Sequence, residues 1–145
     1  MINSFKGDYS WLSNMADCEI NYKGWTFKSV ENAYMWAKNP NDEAWLDFCL
    51  TNSPAECKKR AKTVALRHDW EEVKLSVMFE LLKLKFSQKR FKEKLLATGT
   101  ENIVEGNYWN DKFWGVCLKS NPNVGENYLG RLIMEVRTLL KKGKL

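Results

Sequence analysis

A chain of 145 residues fits one compact domain with a single core, and nothing in its length calls for a second. Apolar residues make up 44% and charged residues 28%, which excludes a disordered tail, and no apolar run reaches the roughly 18 residues that a membrane helix needs. The 23 basic against 18 acidic side chains leave a net charge of +5, a mild field that favours phosphates or nucleic acid without assigning either.

Taken in chain order, the N-terminus MINSFKGDYS has no basic region followed by an apolar run, so no secretory leader is expected. CEINYKGWTF alternates apolar residues around Lys23-Gly24, and Cys18 to Phe27 reads as a short β-hairpin. Ser29 offers an N-cap for a helix running to about Lys38. Asn41 is the expected cap of a short helix through DEAWLDFCL, and Ser53-Pro54 with Glu56 forms a capping box that starts another through ECKKRAKTVALR. Asp69 with Glu72 repeats that signature, and Val73, Val77, Leu81, Leu82 and Leu84 to Phe86 carry an amphipathic helix to about Lys85. A further helix from Ser87 to about Thr98 ends at Gly99.

From Glu101 the texture changes. ENIVEGNYWNDKFWGVCLKSNPNVGEN breaks into short apolar pieces separated by Gly, Asn and Asp, which predicts one or two short strands in irregular loops of the kind that often carry function. Leu129, Leu132, Ile133, Val136, Leu139 and Leu140 then recur at helical spacing along a final helix. The expected class is α+β: a predominantly α-helical single domain, residues 1–145, with a small β-hairpin and short strands. The basic runs QKRFKEK and KKGKL read as solvated helix ends.

Cys18, Cys49, Cys57 and Cys117 show no C-x-x-C spacing and His68 is the only histidine, so no zinc ligand set is present. No metal or cofactor is expected, and the chain reads as cytoplasmic with reduced thiols.

Three stretches could carry chemistry. With Ser29 as N-cap, Glu31 takes the second helical position, where open N–H groups and the helix dipole favour its charged form. Glu31, Met35 and Lys38 then share one face, with Glu31 and Lys38 about 10 Å apart along the axis. A well-made helix start with a solvated lysine explains this pattern, and on residue chemistry alone it stands ahead. The functional alternative is a fixed carboxylate that steadies a cation, attacks as a nucleophile or takes a proton.

The second stretch is EGNYWNDKFWG, where Glu105 and Asp111 interleave with Trp109 and Trp114, as a site holding a flat ring requires. A turn capped by core tryptophans fits as well. The third is GENYLG, where Gly125 and Asn127 at a helix start can point N–H groups at phosphate, against plain capping by Asn127 and close packing at Gly130. It is neither a Rossmann nor a Walker pattern. Trp70, after Asp69, either staples its helix to the core or lies across a ligand base.

Together, FKGDYSWLSN, SVENAYMWAK, DWEEVKLSVMFELLKLKF, LLATG, EGNYWNDKFWG and GENYLGRLIMEVR resemble, in order from Phe5 to Arg137, the successive motifs of the NADAR family, named for NAD and ADP-ribose, with its YbiA-like members. The resemblance implies a small helix-rich fold and an N-glycosidase that hydrolyses a ribose C1′–N bond without a metal. The implied substrates are phosphorylated ribosylamino-pyrimidines of riboflavin synthesis, or ADP-ribose on guanine in DNA or RNA. A non-catalytic module that binds ADP-ribose or NAD is the alternative. The family's motifs place the catalytic glutamate at Glu31, the lysine of that block at Lys38, its helix-start tryptophan at Trp70, and W-x-D-x-x-W-G at Trp109, Asp111, Trp114 and Gly115. The Asn of G-x-N-x-L-G falls at Asn127, with Gly125 beside it.

On this reading Glu31 steadies the developing cation or activates water. Asp111 is the expected donor of the leaving-group proton, Trp70 and Trp114 stack on base or ribose, and Lys38, Asn127 and the N–H groups near Gly125 meet hydroxyls or phosphates. Two positions depart from the YbiA-like pattern: Met35-Trp36 replaces glutamine-rich residues, and Ala61-Lys62 replaces a Gly-Arg pair, leaving Lys62 or Arg60 to stand in as a point charge.

Overall fold

The computed structural model describes residues 1–145, and the chain forms two compact units: Asn14–Lys85, and Met1–Ser13 with Phe86–Leu145. The class is the expected helix-rich α+β, with two sheets of two strands each.

In the unit Asn14–Lys85, strands β1 (Ile20–Tyr22) and β2 (Trp25–Phe27) pair antiparallel, with Tyr22 opposite Trp25. Lys23 and Gly24 both take positive φ, 53° and 88°, the conformation a tight two-residue hairpin needs. Helix α1 (Val30–Ala37) follows, capped by Ser29 as its sequence indicates. Helix α2 (Glu43–Thr51) is capped by Asp42, whose side chain accepts the Trp45 N–H, and not by the expected Asn41. Either residue type can cap, and the residue whose oxygen reaches three positions ahead takes the role.

Helix α3 (Pro54–Ala61) starts at Ser53 as expected but ends six residues before Arg67, with Lys62, Thr63 and Val64 closing it in tight turns. Lys58, Lys59 and Arg60 load its last turn, where the dipole favours cations. Helix α4 (Trp70–Phe86) buries Val77, Met78, Leu81 and Leu82.

In the other unit a 3₁₀ segment, Gly7–Leu12, precedes the long excursion to α5 (Lys89–Ala97), whose Thr98 C-cap leads to Gly99 at φ 62°. Strands β3 (Gly106–Asn107) and β4 (Val116–Cys117) pair in parallel, and Ile2 bridges Ile103. Helix α6 (Tyr128–Lys141) buries Leu129, Ile133, Val136 and Leu140 of the stripe its spacing predicts, with Leu132 and Leu139 half-buried. Arg137, also buried, donates to Thr98 Oγ1 and to the Glu101 carbonyl, each at 2.8 Å, which ties α6 to the end of α5. All four cysteines are free, no helix is long and apolar enough to cross a membrane, and no three His, Cys, Asp or Glu side chains gather where they could hold a metal ion.

Candidate functional site

The start of α1 is built from side chains that satisfy each other. The Ser29 hydroxyl accepts the Asn32 N–H at 3.0 Å and donates to Asn32 Oδ1 at 2.5 Å. Asn32 Nδ2 in turn donates to the carbonyls of Cys49 and Asn52, both at 2.9 Å, with Cys57 Sγ at 3.4 Å. The cap is thereby bolted to the end of α2 and to α3. Glu31, at the second helical position, sends its N–H to the Asn14 carbonyl at 3.0 Å and is only 8% exposed. Every residue of α1, Val30 to Ala37, is buried.

Lys38 follows as the C-cap, half-buried, with its ammonium 5.8 Å from the centre of the Tyr34 ring. Burial lowers its proton affinity; the Glu31 charge works against that shift, and the ammoniums of Lys58 and Lys74 add to it. Glu31 and Lys38 therefore feel each other as their shared face requires. Trp70, 5% exposed, packs on Tyr34 with ring centres 5.0 Å apart. The chain before it is pinned by Arg67, whose N–H meets the Lys38 carbonyl at 2.7 Å and whose guanidinium pairs with Asp69 at 2.6 Å. Arg60 rests over Phe48, 5.4 Å from the ring centre.

The remaining residues singled out by sequence lie in the other unit. Asn107, fully buried, donates to Glu105 Oε2 and to the Asp111 carbonyl, both at 2.9 Å, and its Oδ1 accepts the Asp111 N–H at 3.1 Å. Asp111 Oδ1 accepts the N–H groups of Phe113 and Trp114 at 3.1 and 3.0 Å. That carboxylate oxygen closes a turn. Trp114 is half-buried and meets Phe113 edge-on at 4.8 Å, while Trp109 is 52% exposed with the Lys6 ammonium 5.7 Å from its ring.

Asn127 and Gly125 differ from expectation. Asn127 does precede α6, at φ 54°, but its side chain makes no cap: Oδ1 accepts the Glu105 N–H and Nδ2 donates to the Ile103 carbonyl, both at 3.0 Å. The N–H groups of Glu126, Asn127, Tyr128 and Leu129 are taken by the carbonyls of Lys112, Gly115, Phe113 and Trp114. Gly125, at φ 157°, lets its backbone pass against Gly115, where a Cβ would strike the Gly115 carbonyl.

Sequence reasoning passed over Asn14, Asn32, Tyr34 and Asn107. Asn32 and Tyr34 sit inside the quoted helix block, and a buried-side asparagine three residues past a serine cap is the signal that could have drawn attention to Asn32. Asn14 and Asn107 act through contacts 17 residues apart or within a loop, which helical and strand periodicities do not encode.

Against known proteins, residues 3–141 match the model of the NADAR domain. N-glycosidase YbiA of Escherichia coli (strain K12) is 32% identical over 140 residues, covering 94% of this chain and 85% of that protein. The chloroplastic riboflavin biosynthesis protein PYRR of Arabidopsis thaliana is 42% identical over 80 residues, 54% of this chain and 13% of the plant protein. The NMR structure of the Escherichia coli protein YbiA matches with a TM-score of 0.82 at 30% identity, over 99% of this chain and 89% of that one.

Proposed function

Because the chain belongs to the NADAR family, we propose that it is an N-glycosidase in which water cleaves the bond between a ribose C1′ and a nitrogen. The observation that carries this reading is Glu31: a carboxylate 8% exposed, fixed at a capped helix start, with Lys38 in electrostatic reach. As the C1′–N bond breaks, its electron pair leaves with nitrogen and positive charge builds at C1′. A preorganised carboxylate stabilises that charge without reorganising at the moment of reaction. Water then adds its oxygen to C1′ and Glu31 accepts the proton it sheds; solvent supplies a proton to the leaving nitrogen and takes the Glu31 proton back, so the net change is addition of one water across the C1′–N bond.

The substrate we assign is a phosphorylated ribosyl compound, either a phosphoribosylamino-pyrimidine or an ADP-ribose unit on a base, including guanine in DNA or RNA. The relatives, an N-glycosidase and a riboflavin biosynthesis protein by name, support the first kind, and the net +5 supports an anionic ligand in both. Lys38 meets the negative end of such a ligand.

The test is Glu31→Gln. It should leave the melting temperature close to that of the parent while lowering release of base or ADP-ribose by about 10²–10⁴-fold, the span of a lost positioned base. Near-normal turnover by the variant would remove Glu31 from the chemistry. Incubating the parent separately with ADP-ribosylated guanine DNA and with the pyrimidine compounds, then weighing the products by mass spectrometry, identifies the substrate. Calorimetric binding of ADP-ribose with no product from any of them would make the protein a reader.

A further inference from the structure

The side-chain carbonyl oxygen of Asn14 is buried and has no hydrogen-bond partner, and it belongs to the residue whose backbone carbonyl holds the Glu31 N–H at 3.0 Å. Folded chains rarely leave a buried acceptor unpaired, and an exception points to water, an ion or a ligand as the missing partner. The other end of this amide fares little better: Nδ2 meets only the thioether sulfur of Met78, at 3.6 Å, a weak acceptor. The contrast with three other asparagines is direct. Asn32, Asn107 and Asn127 each tie both ends of the amide into bonds, among them contacts of 2.9–3.1 Å to backbone groups. Those amides are structural; Asn14 has spent nothing comparable on the fold.

One other buried polar atom lacks a partner, Trp36 Nε1, whose ring packs 5.3 Å from Phe27 and edge-on to Tyr22 at 6.0 Å, a core position. Asn14 differs because it is half-buried as a residue, and the Asn χ2 torsion is broad, so a small turn of the amide brings the acceptor to a ligand. Its chemistry also complements Glu31. A carboxylate beside C1′ supplies full negative charge; an amide oxygen accepts a hydrogen bond without adding a second charge that would repel it.

On the reading that Glu31 serves a breaking ribose bond, we infer that Asn14 is a specificity-determining residue whose Oδ1 accepts a hydrogen bond from a hydroxyl of that same ribose. It selects ribose over a deoxyribose because only the hydroxyl pairs the buried acceptor, and a site left with an unpaired polar group rejects the analogue lacking its partner.

Calorimetry with ADP-ribose and its counterparts lacking the 2′ or the 3′ hydroxyl of the terminal ribose tests this without requiring turnover. The parent should bind one of the two deoxy compounds about tenfold more weakly than ADP-ribose, the scale of one hydrogen bond. Asn14→Ala should bind ADP-ribose about tenfold more weakly and treat all three ligands alike, with an unlowered melting temperature because the lost oxygen made no bond in the fold. If the alanine variant does not fold, Asn14→Leu, of similar volume and without polar atoms, should give the same pattern. A variant that discriminates as the parent does, or that loses stability and weakens on all three ligands in proportion, overturns the assignment and leaves the glycosidase reading standing. If the parent binds none of these ligands, nor ribose 5-phosphate, and releases no base from any substrate, the glycosidase reading falls and Asn14 with it.

Discussion

The start of α1 and the loop from Glu105 to Asn127 both fix residues singled out for chemistry, and they do so by opposite means. At α1 the cap itself is short in sequence, Ser29 to Asn32, and the helix supplies most of its own backbone partners, although Asn32 Nδ2 and the Glu31 N–H reach 17 or more residues away. In the loop the two bonds of Asn127 reach back 22 and 24 residues, and Asn107 and Asp111 close the turn between them. A short cap starts the helix that carries Glu31; the Asn107 and Asn127 amides and the Asp111 carboxylate close the loop that carries Trp109 and Trp114. Backbone bonds run through the loop as well, but its turn closes on the buried Asn107 and its partners, so its single side chains should matter more to stability than the cap does.

The largest effect is expected at Gly115. A Cβ there would strike the Glu105 carboxylate oxygen and carbonyl and crowd Asn107 Nδ2, all parts of the turn. Gly115→Ala should destabilise by more than about 3 kcal/mol in chemical denaturation, the range of overpacking combined with a broken buried network. A loss below about 0.5 kcal/mol would mean the loop yields readily, and the comparison would fail. Next comes Asn127→Ala, which strands the Glu105 N–H and the Ile103 carbonyl and places alanine at φ 54°. Two unmade backbone partners predict a loss of about 2–4 kcal/mol, read from the denaturation midpoint at constant slope.

That contrast also decides what could be read from sequence. Caps are local, so Ser29, Ser53 and the hairpin turn at Lys23-Gly24 were legible from a few neighbouring residues, as was the stripe of α6. The end of α3 was not, because the basic residues after Ala61 continue a helical pattern that the tight turns at Lys62 to Val64 override. In the loop the residue types were legible and their roles were not. The oxygens of Asn127 and Asp111 that suit a substrate also suit a nearby N–H, and each accepts one or two from the backbone of this unit, which residue type alone does not foretell. Glu31 was readable because its position depends on a cap four residues long; that it lies almost wholly inside depends on α2 and α3, which periodicity in α1 does not report.

Ser29→Ala sharpens the comparison from the other side. It removes one cap bond and the hydroxyl bond to Asn32 Oδ1, and should destabilise by about 1 kcal/mol. Its measured loss should be clearly smaller than that of Asn127→Ala under the same conditions. If the two are equal, the cap is part of a buried network as demanding as the loop, and the distinction between local and long-range support disappears.

The smallest effect is expected at Lys38, and its signature is pH. Burial lowers the lysine's proton affinity below its ordinary 10.5, with Glu31 opposing. The unfolded chain therefore holds this proton to higher pH than the folded one, so the cost of the buried charge is in full force at neutral pH. It is lifted as pH rises through the lowered folded value toward 10.5. Lys38→Met keeps the stem's apolar contacts and removes the charge. At pH 7 the variant should melt slightly above the parent, and the difference should narrow steadily between neutral pH and about pH 10 as the parent's lysine loses its proton. Turnover should fall at pH 7, because the cation that faces the ligand is gone, and the deficit should shrink as pH rises and the parent's lysine loses its own charge. A variant that melts below the parent at pH 7, with a gap that does not depend on pH, would show that the Lys38 charge stabilises the fold through Glu31 more than burial opposes it. Lys38 would then belong with the supports of α1, and its placement in the ligand site would be withdrawn.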